Sequence, residues 1–212
     1  MRLGILVSGR GSNLEAVLDA IADGRLPDVE PVVVIANRPE IRALEVAARR
    51  GVSWRLMPRS DFADADARDA AIGQALEEAG CELVLLAGYD QLLRAPYFAT
   101  FGGRTINLHP SLLPRHGGPG MMGLAVHAAV LAAGETETGV TIHEVTPLLD
   151  AGPPIEQVRL AVLPGERADQ LAERVLEVEH RVVVEVLAHL SASMTGASPA
   201  PIRARRPLRE AL

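Results

Sequence analysis

The chain contains no lysine: all 21 of its basic residues are arginine. A Schiff base to a carbonyl substrate and a Walker-type phosphate lysine are thereby excluded. A single cysteine, Cys81, cannot close an intramolecular disulfide, and no Cys/His grouping has zinc-ligand spacing. Cys81 stands just before the apolar run at 83–86 and reads as inert core rather than as a nucleophile. An excess of positive charge is also missing. The net charge of −6 argues against a nucleic-acid backbone as the main partner, while leaving room for a local anion site. No apolar run approaches the length of a membrane span, and the first one, Leu-Gly-Ile-Leu-Val at 3–7, is too short for a signal segment and runs straight into glycines. The expectation is a soluble, cytoplasmic protein acting on small molecules, without a nucleic-acid or membrane partner, as a monomer or homodimer.

What is present is an ordinary globular composition of a size that fits one substantial α/β domain. Short apolar runs at 2–7, 31–36, 53–57, 82–87 and 104–108 alternate with segments at 12–23, 40–50 and 65–79 that carry helical spacing and strong helix formers. This alternation predicts repeated βα units, hence an α/β, Rossmann-like fold with a mainly parallel twisted sheet and helices on both faces. After residue 110 the pattern changes to a Gly/Pro-rich loop at 114–120, a helix at 121–133, strands at 139–145 and 155–162, and a closing helix at 167–190. Residues 1–190 read as one domain. Residues 191–212, with small residues, prolines and the solvated arginines Arg203, Arg205 and Arg206, read as a flexible C-terminal tail.

The first strand runs into Ser-Gly-Arg-Gly-Ser-Asn at 8–13 and then a helix. Such a loop offers unpaired N–H groups at a helix N-terminus, which suits a phosphate; alternatively Ser12 or Asn13 merely caps the helix. The glycine spacing is not that of a dinucleotide fingerprint, and Asn37-Arg38-Pro39 stands where a ribose-binding acid would follow the second strand. A mononucleotide or sugar phosphate is favoured. The strand at 104–108 delivers Asn107 and His109 to one side of the chain at its C-terminal end, where open α/β sheets place ligands. Asp150 lies in a loop between two strands, either as a turn former or as a partner that faces His109.

Asn-Leu-His-Pro-Ser-Leu-Leu-Pro at 107–114, preceded by Gly-Arg-Gly-Ser-Asn at 9–13 and followed by Gly-Val-Thr-Ile-His at 139–143 and Leu-Asp-x-Gly-Pro at 149–153, resembles the folate-dependent formyltransferase superfamily, and within it the phosphoribosylglycinamide formyltransferases. The similarity covers residues 1–190. It implies transfer of a formyl group from 10-formyltetrahydrofolate, a co-substrate, to the amine of 5'-phosphoribosylglycinamide in purine biosynthesis, with no metal. It also implies a phosphate-binding N-terminal half and a folate-binding, catalytic C-terminal half. Asn107, His109 and Asp150 match the family's catalytic trio, Gly11, Ser12 and Asn13 its substrate-phosphate loop, and Glu179 the acid that holds the ribonucleotide. Tyr89, Asp90, Gln91, Leu92 and Leu93, with Val145, Thr146 and Leu149, match the folate pocket.

The chemistry suits these residue types. A tetrahedral oxyanion needs donors, which an amide at Asn107 and an imidazolium at His109 supply, and a carboxylate at Asp150 would favour the charged ring. Asp90 and Gln91 depart from the Met-Arg of many relatives, and Ala65 replaces an arginine used by some to meet the folate glutamate tail; Arg59, Arg68 and Arg94 are the candidate substitutes. The loop at 116–123 is a glycine-rich variant. His127 reads as structural, and His143 and His180 as either core or near-site groups. Two competing readings are a relative with another acceptor or a deformylating hydrolase, and a catalytically silent nucleotide- or folate-binding module. The tRNA-acting relatives carry a further C-terminal domain and the hydrolases an N-terminal one, features not expected here.

Overall fold

The computed structural model describes residues 1–194 and Gly196. Its seven strands form one sheet in the order β3-β2-β1-β4-β5-β6-β7. These are β1 (Arg2–Val7), β2 (Glu30–Ala36), β3 (Trp54–Leu56), β4 (Leu83–Leu86), β5 (Arg104–His109), β6 (Glu137–Glu144) and β7 (Pro154–Ala161). The first five are parallel and the last two antiparallel to their neighbours. The helices are α1 (Ser12–Ala22), α2 (Arg42–Arg49), α3 (Ala65–Glu78), α4 (Ala95–Thr100), α5 (Leu124–Ala132) and α6 (Ala168–Met194), with a 3-10 turn at Arg59–Asp61.

Side-chain alternation along the central strands builds a core on each face. Leu3, Ile5 and Val7 of β1 join the cluster that contains Leu14 and Val17 of α1, Val46 of α2 and the Val175–Val182–Val186 stripe of α6. Leu6 and Ile35 point the other way, into a cluster with Ile72 and Leu76 of α3 and Tyr97 of α4. Cys81 belongs to this second cluster, and burial pushes its thiol up to about 11. β1 and β4, covered on both sides, are continuous apolar runs, as buried parallel strands require.

Several element ends differ from the sequence expectation. The predicted helix at 121–133 begins only at Leu124, because Gly118, Gly120 and Gly123 hold positive φ angles that keep the preceding segment out of the helix. The last helix continues to Met194: Leu190 and Ser191 are buried, and the Ser191 hydroxyl donates to the Ala188 carbonyl, so the first four residues assigned to the tail are helical. The rest of that expected tail, including Arg203, Arg205 and Arg206, lies outside the described residues. α4 was not anticipated. At six residues it is shorter than two helical turns, too short to show a period, and Pro96 sits in its first turn.

α3 starts where Asp64 accepts the Ala67 N–H at 2.7 Å, a conventional N-cap. It then crosses α4 closely at Gly73, where an added Cβ would lie 2.9 Å from Thr100 Cβ and 3.0 Å from the Tyr97 carbonyl oxygen. Gly73→Ala therefore has an outcome opposite to helix propensity. Propensity alone would stabilise by about 1 kcal/mol, whereas overpacking this crossing costs about 1–3 kcal/mol. Urea unfolding should show a net loss of stability, and a gain would refute the tight crossing.

Candidate active site

The strand order reverses direction between β1 and β4, and the crevice outside the carboxyl ends of β1, β4 and β5 is a cleft of about 900 Å³. Ser8, Gly9 and Arg10 border it after β1, residues 88–93 after β4, and Asn107, Leu108, His109 and Pro110 at the end of β5. Residues 118–124, Val145, Thr146, Leu148, Leu149 and Asp150 close one side, and α6 presents Asp169, Ala172, Glu173, Leu176 and Glu179 on another. The α6 residues recur at helical spacing, a signal from which Glu173 and Leu176 could have been read alongside Glu179.

Asn107, His109 and Asp150 come together here. His109 is buried, its Nε2 within 2.9 Å of the His116 carbonyl and its Nδ1 3.8 Å from Asp150 Oδ2. Asp150 is not an ordinary self-bonded turn residue: it holds a left-handed φ of 51°, and Oδ2 accepts the N–H of Gly118, in the neighbouring loop, at 2.8 Å. Its other oxygen stands 3.7 Å from His143 Nε2. His143 is the cross-strand partner of Asn107 in the β5–β6 ladder, which explains a placement that the sequence left open. Its Nδ1 is within 2.8 Å of the Glu144 carbonyl, which can only accept, so Nδ1 carries the hydrogen and Nε2 accepts from Asn107 Nδ2 at 3.1 Å. Burial lowers the pKa of His143, consistent with this neutral ring. His127 also borders the cleft, and burial beside His109 lowers its pKa. His180 lies outside this cleft, beside Glu15 and Arg181.

At the opposite end, Gly11 takes a left-handed φ of 72° and caps α1 without any side-chain cap hydrogen bond, so the alternative role of Ser12 as a capping side chain is not realised. A Cβ at Gly11 would lie 2.7 Å from Ala43 Cα, so the turn requires glycine both for its conformation and for its contact with α2. Asn13 is buried and donates to Glu179 Oε2 at 2.9 Å, joining the start of α1 to α6. Gly11, Ser12 and Asn13 do not themselves border the cleft; Gly9, Arg10 and Glu179 do. Arg10 is exposed.

The residues expected for a folate pocket all border the cleft: Tyr89, Asp90, Gln91, Leu92, Leu93, Val145, Thr146 and Leu149. Leu92, Leu148 and Leu149 are large apolar side chains exposed at its rim. Asp90 spends its carboxylate on Asn37 Nδ2, at 2.7 Å, and on Arg38, and its N–H on the Ser8 hydroxyl. Of the three arginines considered for an anionic tail, Arg68 is withdrawn: it is buried against Asp69. Among the described residues no group of His, Cys, Asp and Glu has the geometry to hold a metal ion, and no helix is long and apolar enough to cross a membrane.

The family model described as formyl transferase matches residues 1–187. The trifunctional purine biosynthetic protein adenosine-3 of Drosophila melanogaster is 38% identical over 192 residues, 89% of this chain but 14% of that protein. This chain therefore spans a small part of the first curated relatives it matches. The phosphoribosylglycinamide formyltransferase of Escherichia coli (strain K12) is 32% identical over 182 residues, 86% of this chain and 83% of that protein. The crystal structure of glycinamide ribonucleotide transformylase 1 from Symbiobacterium toebii has a TM-score of 0.84 at 38% identity, over 91% of this chain and 88% of that one.

The buried Glu179 generates a stability prediction. Burial pushes its carboxyl from 4.5 up to about 7, opposed by the Asn13 hydrogen bond and by Arg10. The folded state thus binds this proton more tightly than the unfolded state, and the group's contribution worsens as pH rises from about 4.5 to about 7. Glu179→Gln keeps an acceptor for Asn13 and removes the titration. Thermal melts should show the variant equal to the parent near pH 4.5 and more stable at pH 8, by an amount on the order of 3 kcal/mol at most. Parallel curves across that range would disprove the shift.

Proposed function

The chain belongs to the formyl transferase family, and from that premise we propose that it transfers the formyl group of 10-formyltetrahydrofolate to the amine of 5'-phosphoribosylglycinamide, a step of de novo purine biosynthesis. The observation that carries this reading is the convergence of Asn107, His109 and Asp150, from β5 and the loop at 145–153, on one cleft with His109 and Asp150 3.8 Å apart. The ribonucleotide phosphate is assigned to the N–H groups at the start of α1, where Gly11 leaves Ser12, Asn13 and the next donor without a side-chain cap. Glu179 is assigned to the ribonucleotide, and the apolar rim of Leu92, Leu148 and Leu149 to the folate ring.

In the reaction the amine lone pair forms a bond to the formyl carbon and the carbonyl π pair moves onto oxygen. When that pair re-forms the C=O bond, the bond to the folate nitrogen breaks and one amine proton passes to that nitrogen. No further reactant is needed. The oxyanion needs donors fixed before it forms. One Nδ2 hydrogen of Asn107 is taken by His143, which holds the amide plane and leaves the second hydrogen for the oxyanion. His109 Nε2 meets the His116 carbonyl, and Nδ1 stands 3.8 Å from Asp150 Oδ2, beyond hydrogen-bond distance, so the Nδ1 side of the ring is left for the developing charge with a carboxylate nearby. Proton transfer from amine to folate nitrogen is assigned to His109 or a water that it holds. The chain carries out this chemistry without a metal, in the cytoplasm.

Two variants test the assignment. His109→Ala should lower kcat by orders of magnitude and leave binding of the ribonucleotide largely intact, since the ring acts in the transition state. Asp150→Asn retains an acceptor for the Gly118 N–H but removes the charge, and should cost about 10²-fold in kcat with little change in melting temperature. Steady-state assays with both substrates decide: near-normal turnover in either variant removes that residue from the mechanism, and binding of both substrates without turnover in the parent protein identifies a silent module.

A further inference from the structure

Arg68 and Asp69, consecutive in the first turns of α3, form an ion pair with almost no solvent exposure, 3% and 0%. Arg68 Nε and Nη2 both donate to Asp69 Oδ1, at 2.9 and 2.5 Å. Such a pair is poor evidence for stability, because removing two charges from water costs as much as their attraction returns. What distinguishes it is the use of its remaining atoms. Asp69 Oδ2 accepts the backbone N–H of Arg94 at 2.9 Å, and Arg68 Nη2 donates to the backbone carbonyl of Leu92 at 3.3 Å.

The segment at 88–94 has no helix or strand of its own, yet residues 88–93 form one wall of the cleft. Its N-terminal part is tied to β1 through the Asp90 N–H and Ser8, and the two bonds from the ion pair hold its C-terminal part. Tyr89, in the same segment, is nine-tenths buried and packs into the core cluster beneath α3 and α4, a further anchor for the wall. We propose that the buried Arg68–Asp69 pair is a positioning device that fixes the cleft wall at 88–93 in the shape that receives the formyl-folate donor. The proposal rests on the donor assignment above. It separates Arg68 from Arg94, whose exposed guanidinium pairs with Asp66 at 3.4 Å.

The test replaces both charges at once, Arg68→Met with Asp69→Leu, so that no unpaired buried charge remains and the protein folds; apolar replacement of a buried pair is often neutral or stabilising. Calorimetric titration with 10-formyltetrahydrofolate should show Kd rising by about tenfold or more while Kd for 5'-phosphoribosylglycinamide is held, with at most a modest fall in melting temperature from the Arg94 N–H and Leu92 carbonyl that lose their partners. Hydrogen exchange at the Arg94 amide should accelerate, since its acceptor is gone. A merely structural pair would lower the melting temperature and leave donor affinity alone. Unchanged donor Kd or an unchanged Arg94 exchange rate in the folded double variant overturns the positioning role but not the function. Failure of the unaltered protein to bind the donor overturns both.

Discussion

Beyond His109 the chain returns antiparallel as β6, and the register of that return governs the geometry of the cleft. It sets His143 opposite Asn107 and Thr141 opposite His109. Thr141 then ties down the intervening loop: its hydroxyl donates to the Ser111 carbonyl at 2.6 Å and accepts the Leu113 N–H at 3.1 Å. A shift by one residue would turn His143 to the other face and leave the Asn107 amide unheld. The same return carries the chain through residues 145–153, so that Asp150 arrives over the strand end it left.

The polar groups of the cleft depend on this arrangement because few of them can be exchanged with water. His109, His127 and His143 are each at most 4% exposed, and the proton positions of His143 follow from the carbonyl and the amide it meets. The opposite end works by a different rule. There the Asn13–Glu179 bond joins the first helix to the last, and burial holds the carboxyl close to neutrality. One cleft thus combines a carboxylate and an imidazole 3.8 Å apart, at Asp150 and His109, with a carboxyl that gains a proton near pH 7.

The alternation of apolar runs and helical segments was legible because period 2 and period 3.6 leave different marks, and the first five strands and first three helices lie within a few residues of where those marks predict them. α4 left none, being too short. The late start of α5 depended on glycine conformations that one-dimensional spacing does not encode. Asn107 and His109 were legible as a same-side pair at a strand end. Asp150 was legible only through the family resemblance: its residue type is as common in turns, and the fold is what brings it within 3.8 Å of His109.

By itself the sequence determined the chemistry available: no amine side chain, one cysteine, a glycine-rich loop before the first helix, and an amide and an imidazole delivered together by one strand. It also determined the parallel α/β architecture, since hydrophobic periodicity is a local property of the chain. Tertiary structure alone decided which polar groups meet. His143 holds Asn107 because two strands pair in one register, Asp150 faces His109 from its turn because the loop after β6 returns to the strand end, and Arg68 is buried against Asp69 rather than a surface cation because α3 packs against α4. Each of these joins residues distant in sequence or chooses between burial and solvent, and contact and burial are properties of the packed chain.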